Sequence, residues 1–136
     1  MVGVHRRLFM LLVAVALACI DLAEKAEKAT EYHHARSSFA VLATTCVVIG
    51  LVVLVPLLPS RAALLGAALA TGGALGNLVS VIVWAQGVPD PLVVGGPAHG
   101  IAFNLADVFV FIGDAVMLSS VVIYAVRHRA ELRVTV

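Results

Sequence analysis

The chain has 136 residues, of which 62% are apolar and only 12% charged, and its mean hydropathy of +1.08 lies above that of soluble domains, where roughly half of the residues are apolar. Nine basic against eight acidic side chains leave a formal net charge of +1, which excludes the basic surface that a nucleic-acid partner requires. The two cysteines, Cys19 and Cys46, lie inside apolar runs and set up neither a disulfide framework nor a metal site.

The bilayer is therefore the expected principal solvent. Residues 1–136 read as a single integral membrane domain with apolar spans at about 8–24, 39–58, 62–86 and 101–126, most of them close to or beyond the roughly 20 residues that cross the hydrocarbon core as a helix. The expected fold is all-α, a four-helix transmembrane bundle with short outer loops. Its first span is the shortest and extends past Ala23 if flanking charged side chains snorkel to the headgroups. Arg6-Arg7 and the run to Cys19 have some likeness to a lipoprotein leader. Cleavage there would remove most of the first span, so the segment is taken as a retained helix.

Beyond this span, His33-His34 follow Glu31 in a charged surface segment and are expected to be solvated, since no further ligand spacing points to a metal. The second and third spans are joined by Pro59-Ser60-Arg61 alone, which makes them antiparallel neighbours. Gly72-Gly73-Ala74-Leu75-Gly76 in the third span is a small-xxx-small pattern that admits another helix backbone. Pro89, Pro91, Gly95, Gly96, Pro97 and Gly100 mark a stiff loop or re-entrant turn before the fourth span. Arg6, Arg7, Arg61, Arg127, Arg129 and Arg133 fall on one side of this arrangement, against Lys25, Lys28 and Arg36 on the other. The excess places both termini in the cytoplasm and Asp90 outside.

Polar residues inside apolar spans are the candidates for chemistry. Asn77 and Ser80 are three residues apart in the third span, as are Asn104 and Asp107 in the fourth, so each pair is expected on one helix face. Counted from Ile101, Asp107 would lie about 9 Å below the outer helix end. An ionised Asp at bilayer depth costs roughly 2.5–3.5 kcal/mol and usually marks a site. Asp90, tethered above it in the loop, could converge with it. Two carboxyls that share a small site do not both ionise easily, and a proton-sharing pair is the minimum equipment of an aspartic hydrolase. Asp114, seven residues after Asp107, is expected to hydrogen-bond a neighbouring helix. The sharper alternative, a proton or cation path through Asp107 and Asp114, lacks the inverted repeats of a transporter.

The set of motifs resembles the lipoprotein signal peptidase (signal peptidase II) family. Asp21-Leu-Ala-Glu-Lys25, Gly72-Gly73-Ala74-Leu75-Gly76-Asn77-Leu78, Gly87-Val-Pro-Asp90 and Phe103-Asn104-Leu105-Ala106-Asp107 follow the family's order and approximate spacing. The resemblance implies a multi-pass aspartic endopeptidase of the bacterial cytoplasmic membrane. Its partners would be membrane lipid and a diacylglyceryl-modified prolipoprotein, whose signal peptide it cleaves at the outer face. Asp90 and Asp107 would be the catalytic pair, with Asn77, Asn104, Asp21 and Lys25 binding substrate or supporting the site, and with neither metal nor cofactor. Three features depart from the family pattern. Ser80-Val81 stand where an Asp-Arg pair is usual, Pro91 stands where an aromatic follows the loop Asp, and the segment between Lys25 and Phe39 is short. The alternative is a relative that has lost catalysis and binds lipoprotein precursors or partner helices through the same groove.

Overall fold

The computed structural model describes residues 2–95 and 99–129, so Gly96, Pro97 and Arg133 of the sequence reading lie outside the described residues. Helix α1 (Val2–Glu27) buries Met10, Ala14, Ala18, Asp21 and Lys25, at intervals of three and four that place them on one face. That face lies along α3 (Arg61–Val83). Helix α3 is the centre of the bundle because its side chains are small. Ala63, Gly66, Ala67, Ala68, Ala70, Thr71, Gly72, Gly73, Gly76 and Ser80 are all buried, with α1 packed on one side and α4 (Leu105–Arg127) on the other.

The glycines have two functions here. Gly66 and Gly113 face each other across α3 and α4, and a Cβ on Gly66 would stand 2.7 Å from the Gly113 carbonyl oxygen. Backbones approach this closely only where both side chains are missing. A Cβ on Gly76 would stand 2.5 Å from Asp21 Oδ2, so this glycine makes room for a carboxylate rather than for a helix.

Helix α2 (Ser38–Leu54) starts at Ser37, whose Oγ accepts from the Ala40 N–H at 3.2 Å. It buries only Val48 and runs into a single 3-10 turn, Val55–Leu57, at Pro56. Carbonyls at this corner are met by Arg6 of α1. Its Nε donates to Pro56 O at 3.1 Å and its Nη2 to Leu58 O at 2.7 Å and Ser60 O at 2.9 Å, which pins the α2–α3 corner. Ser60 caps α3, its Oγ accepting from the Ala63 N–H at 3.1 Å, so Arg61 belongs to the helix and the hinge is shorter than expected.

The end of the bundle at which α1 stops and α4 starts is not all-α. Among the described residues four short strands lie there: β1 (His33–His34), β2 (Val88–Pro89), β3 (Leu92–Val94) and β4 (Ile101–Phe103). Strands β1 and β2 pair antiparallel with His33 opposite Pro89 and His34 opposite Val88. Strands β3 and β4 pair antiparallel with Leu92 opposite Phe103. Gly87, at φ +106°, lies where a Cβ would be 2.7 Å from His34 O, so only glycine lets β2 approach β1.

Two boundaries are corrected as a result. Helix α3 ends at Val83 rather than at 86. The fourth helix starts at Leu105 rather than at 101, because Ile101–Phe103 is drawn into a strand and Asn104 caps the helix behind it. Asn104 therefore precedes the helix and does not share a helix face with Asp107, which sits in the first turn. The depth counted from Ile101 does not apply.

Among the described residues, three helical segments are long and apolar enough to cross a membrane: Ser38–Leu57, Arg61–Val83 and Leu105–Arg127. Helix α1, which carries Arg6, Arg7, Asp21, Glu24, Lys25 and Glu27, is not among them. Phe39, Ile82 and Phe111 are 79, 85 and 77% exposed, an outward apolar surface suited to lipid and not to water. Because a Cβ at Gly113 would meet the backbone of Ala70 and Gly66 O, Gly113→Ala is expected to cost about 1–3 kcal/mol of stability. Gly50→Ala, with open space around it, should gain up to ~1 kcal/mol from helix propensity. Unfolding of both variants in detergent measures the contrast.

Candidate active site

The deepest part of the polar cluster is built on α1 and α3. Lys25, in the last turn of α1 and 3% exposed, gives its three ammonium protons to three acceptors. They are Asp21 Oδ2 at 2.7 Å, Asn77 Oδ1 at 3.0 Å and Ser80 Oγ at 3.1 Å. The Ser80 hydroxyl donates in turn to Gly76 O at 2.7 Å, so its lone pair is left for the ammonium. Both ends of the Lys25–Asp21 pair have fully buried side chains. The other Asp21 oxygen, Oδ1, accepts the Ala106 N–H at 2.8 Å. That N–H belongs to the first turn of α4 and has no partner within its own helix.

These bonds decide how the next layer points. Since Asn77 Oδ1 is occupied by Lys25, its Nδ2 faces outward and donates to Asp107 Oδ1 at 2.9 Å. Asn104 and Asp107 form a capping box: the Asp107 N–H donates to Asn104 Oδ1 at 3.0 Å, and the Asn104 N–H donates to Asp107 Oδ2 at 3.3 Å. The Asn104 amide nitrogen then reaches the opposite way, donating to Asp90 Oδ1 at 2.7 Å and to Pro89 O at 3.3 Å. Asn104 is fully buried and joins the two acids.

Asp90 is held from the strand side as well. Its N–H donates to Tyr32 O at 2.9 Å, and its carbonyl accepts Thr30 Oγ1 at 3.2 Å. Its second carboxylate oxygen lies 2.6 Å from His34 Nδ1. Arg36 brings Nη2 to 3.9 Å from Asp107 Oδ1.

The structure thus brings Asp21, Lys25, Asn77, Asn104, Asp107 and Asp90, the six residues singled out in the sequence, into one connected cluster. Asp90 is 5% exposed, whereas the Asp107 side chain is 35% exposed. Asp107 opens onto a groove of about 620 Å³ between α2, α3 and α4, lined by Arg36, Thr44, Asn77, Phe111, Asp114 and small apolar residues. Neither Asp90 nor Asn104 is part of that lining; Asp90 is connected to it through Asn104 and then Asp107. Asp114 was expected to bond a neighbouring helix; it lines the groove instead and makes no hydrogen bond among the described residues.

Two residues escaped the sequence reading. The sequence reads His34 as solvated and Arg36 only as one of the basic residues that set the orientation. Ser80, read as a loss, is a ligand of Lys25.

Two carboxylates are thus linked by an asparagine, and one of them, Asp107, opens onto an apolar groove between helices. Residues 25–123 match the family described as signal peptidase (SPase) II, peptidase family A8, and the chain belongs to that family. Comparison with curated proteins finds no match.

Removing one member of a buried ion pair strands the other, so Lys25→Met is expected to lower stability by about 3–5 kcal/mol. Asp21→Asn added to Lys25→Met removes the stranded charge while keeping the acceptor for the Ala106 N–H. It should recover most of that loss in equilibrium unfolding.

Proposed function

We propose that this protein is a multi-pass aspartic endopeptidase of the bacterial cytoplasmic membrane that cleaves signal peptides from diacylglyceryl-modified prolipoproteins at the outer face. Asp90 and Asp107 are the catalytic pair. The observation that carries this reading is the Asn104 bridge, which donates to Asp90 from its side chain and to Asp107 from its backbone.

In the reaction, the ionised carboxylate takes a proton from water as the water oxygen attacks the scissile carbonyl carbon, and the protonated partner donates to the carbonyl oxygen. Collapse of the tetrahedral carbon breaks the C–N bond as the leaving nitrogen takes up a proton. Asn77 fixes Asp107 from below, and Lys25 with Asp21 fixes Asn77 and the first turn of α4. The groove beside Asp107 offers an apolar wall to the signal segment and the acyl chains. No metal or cofactor enters these steps.

This placement entails four crossings with cytoplasmic termini. Helix α1 lies along the apolar α3 over its whole buried face and so traverses the same depth. Arg6, Arg7, Arg61 and Arg127 gather at the end opposite the carboxylates, on the side that the positive-inside rule assigns to the cytoplasm. The burial of Asp90 behind Asn104 favours a second reading, a relative that binds precursors in the groove without cutting them.

Cleavage of a diacylglyceryl-modified prolipoprotein by the purified protein in lipid or detergent separates the two. Wild type is expected to cleave, and Asp90→Asn and Asp107→Asn are each expected to lose at least ~10²-fold in rate. A well-folded wild type that binds the precursor and leaves it intact would favour the binder.

A further inference from the structure

The segment between α1 and α2 contacts both carboxylates. Pairing of β1 with β2 sets His34 opposite Val88, two residues before Asp90, and the imidazole closes on Asp90 Oδ2 at 2.6 Å. Arg36 follows two residues further on. Its Nη2 reaches 3.9 Å from Asp107 Oδ1, and its Nε is buried with no hydrogen-bond partner among the described residues. One short segment therefore sets an imidazole on one acid and a guanidinium near the other.

The orientation of the Asp90 carboxyl depends on this imidazole. Its Oδ1 accepts from the amide nitrogen of Asn104. That amide has only one way round, because Asn104 also accepts the Asp107 N–H and donates to Pro89 O. The second oxygen, Oδ2, has His34 as its only partner among the described residues. At 2.6 Å the contact is shorter than the roughly 2.7–2.9 Å of a charge-assisted N–H···O hydrogen bond. The His34 side chain is 37% exposed against 7% for Asp90, so the ring also joins a buried acid to water. His34 does not line the groove.

We propose that His34 is a positioning residue of the endopeptidase: it fixes the Asp90 carboxyl against Asn104 and shares its proton. This role rests on the endopeptidase reading of the site. It predicts that His34 acts on the rate of the chemical step and not on retention of the lipid-modified substrate.

Two variants and one spectrum test it. His34→Leu removes the bond, while His34→Asn places an amide nitrogen close to where Nδ1 stands. For cleavage of a diacylglyceryl-modified prolipoprotein, His34→Leu is expected to lower kcat about tenfold or more with KM within about twofold. His34→Asn is expected to recover most of that loss. In substrate-free protein carrying isotope-labelled histidine, one far-downfield Nδ1 proton resonance is expected, lost in His34→Asn and moved upfield in Asp90→Asn.

Absence of that resonance in wild type overturns the inference whether or not the protein cleaves. So does a folded His34→Leu variant with unchanged kcat, which would leave the endopeptidase reading in place. Wild type that gives the resonance but cleaves nothing overturns the endopeptidase reading, and this role with it.

Discussion

The ammonium of Lys25, buried between α1 and α3, is the constraint on which the carboxylate-bearing half of the structure depends. A charge taken out of water costs several kcal/mol unless it is paired and its hydrogen-bonding capacity is filled. Asp21 supplies the opposite charge, and Asn77 and Ser80 fill the remaining two donors. Each partner is thereby fixed in a way that reaches further. Asn77 must turn its amide nitrogen toward Asp107, and Asp21 takes the Ala106 N–H and sets the first turn of α4. Packing makes this possible, since Gly76 leaves the space that Asp21 occupies. The glycines of α3 serve both helix approach and the charged cluster.

The departures from the family pattern look different once the partners are known. An acid at position 80 would add a second negative charge beside Lys25, where Asp21 already supplies one. The hydroxyl of Ser80 completes the ammonium's shell without that charge and returns its own proton to Gly76 O. The guanidinium expected after it is absent at Val81, but Arg36 extends one toward Asp107 from the segment above. The short segment between Lys25 and Phe39 still pairs with β2 and carries two nitrogen-bearing side chains to the carboxylates.

How much of this could be read from the residues alone varies with the signal. The second and third helices were legible because long apolar runs bounded by Ser37 and Ser60 leave little choice of structure. The grouping of Asn77 and Ser80 followed from helical spacing. The start of α4 was not legible: Ile101–Phe103 is as apolar as the helix beyond it, and hydropathy does not distinguish a short apolar strand from a helix. The signal for that boundary was the Asn104 to Asp107 spacing, which also fits a capping box. His34 was hidden for a different reason, since a two-residue strand has no periodicity and its partner, β2, is more than fifty residues away. Helix α1 was legible as a helix, but its charges keep it from the hydropathy of a crossing segment, and its depth follows from its packing on α3.

The carboxylates are thus linked to the helix interior through one amide, that of Asn77, whose orientation depends on a charge it does not share. The rate of precursor cleavage by the Asp21→Asn/Lys25→Met protein measures that dependence most directly, because the fold is expected to survive the exchange while the Asn77 amide is released. A fall in kcat of about tenfold or more in a protein as stable as wild type is the predicted result. Wild-type kcat in that variant would contradict the view that the buried ammonium organises the site.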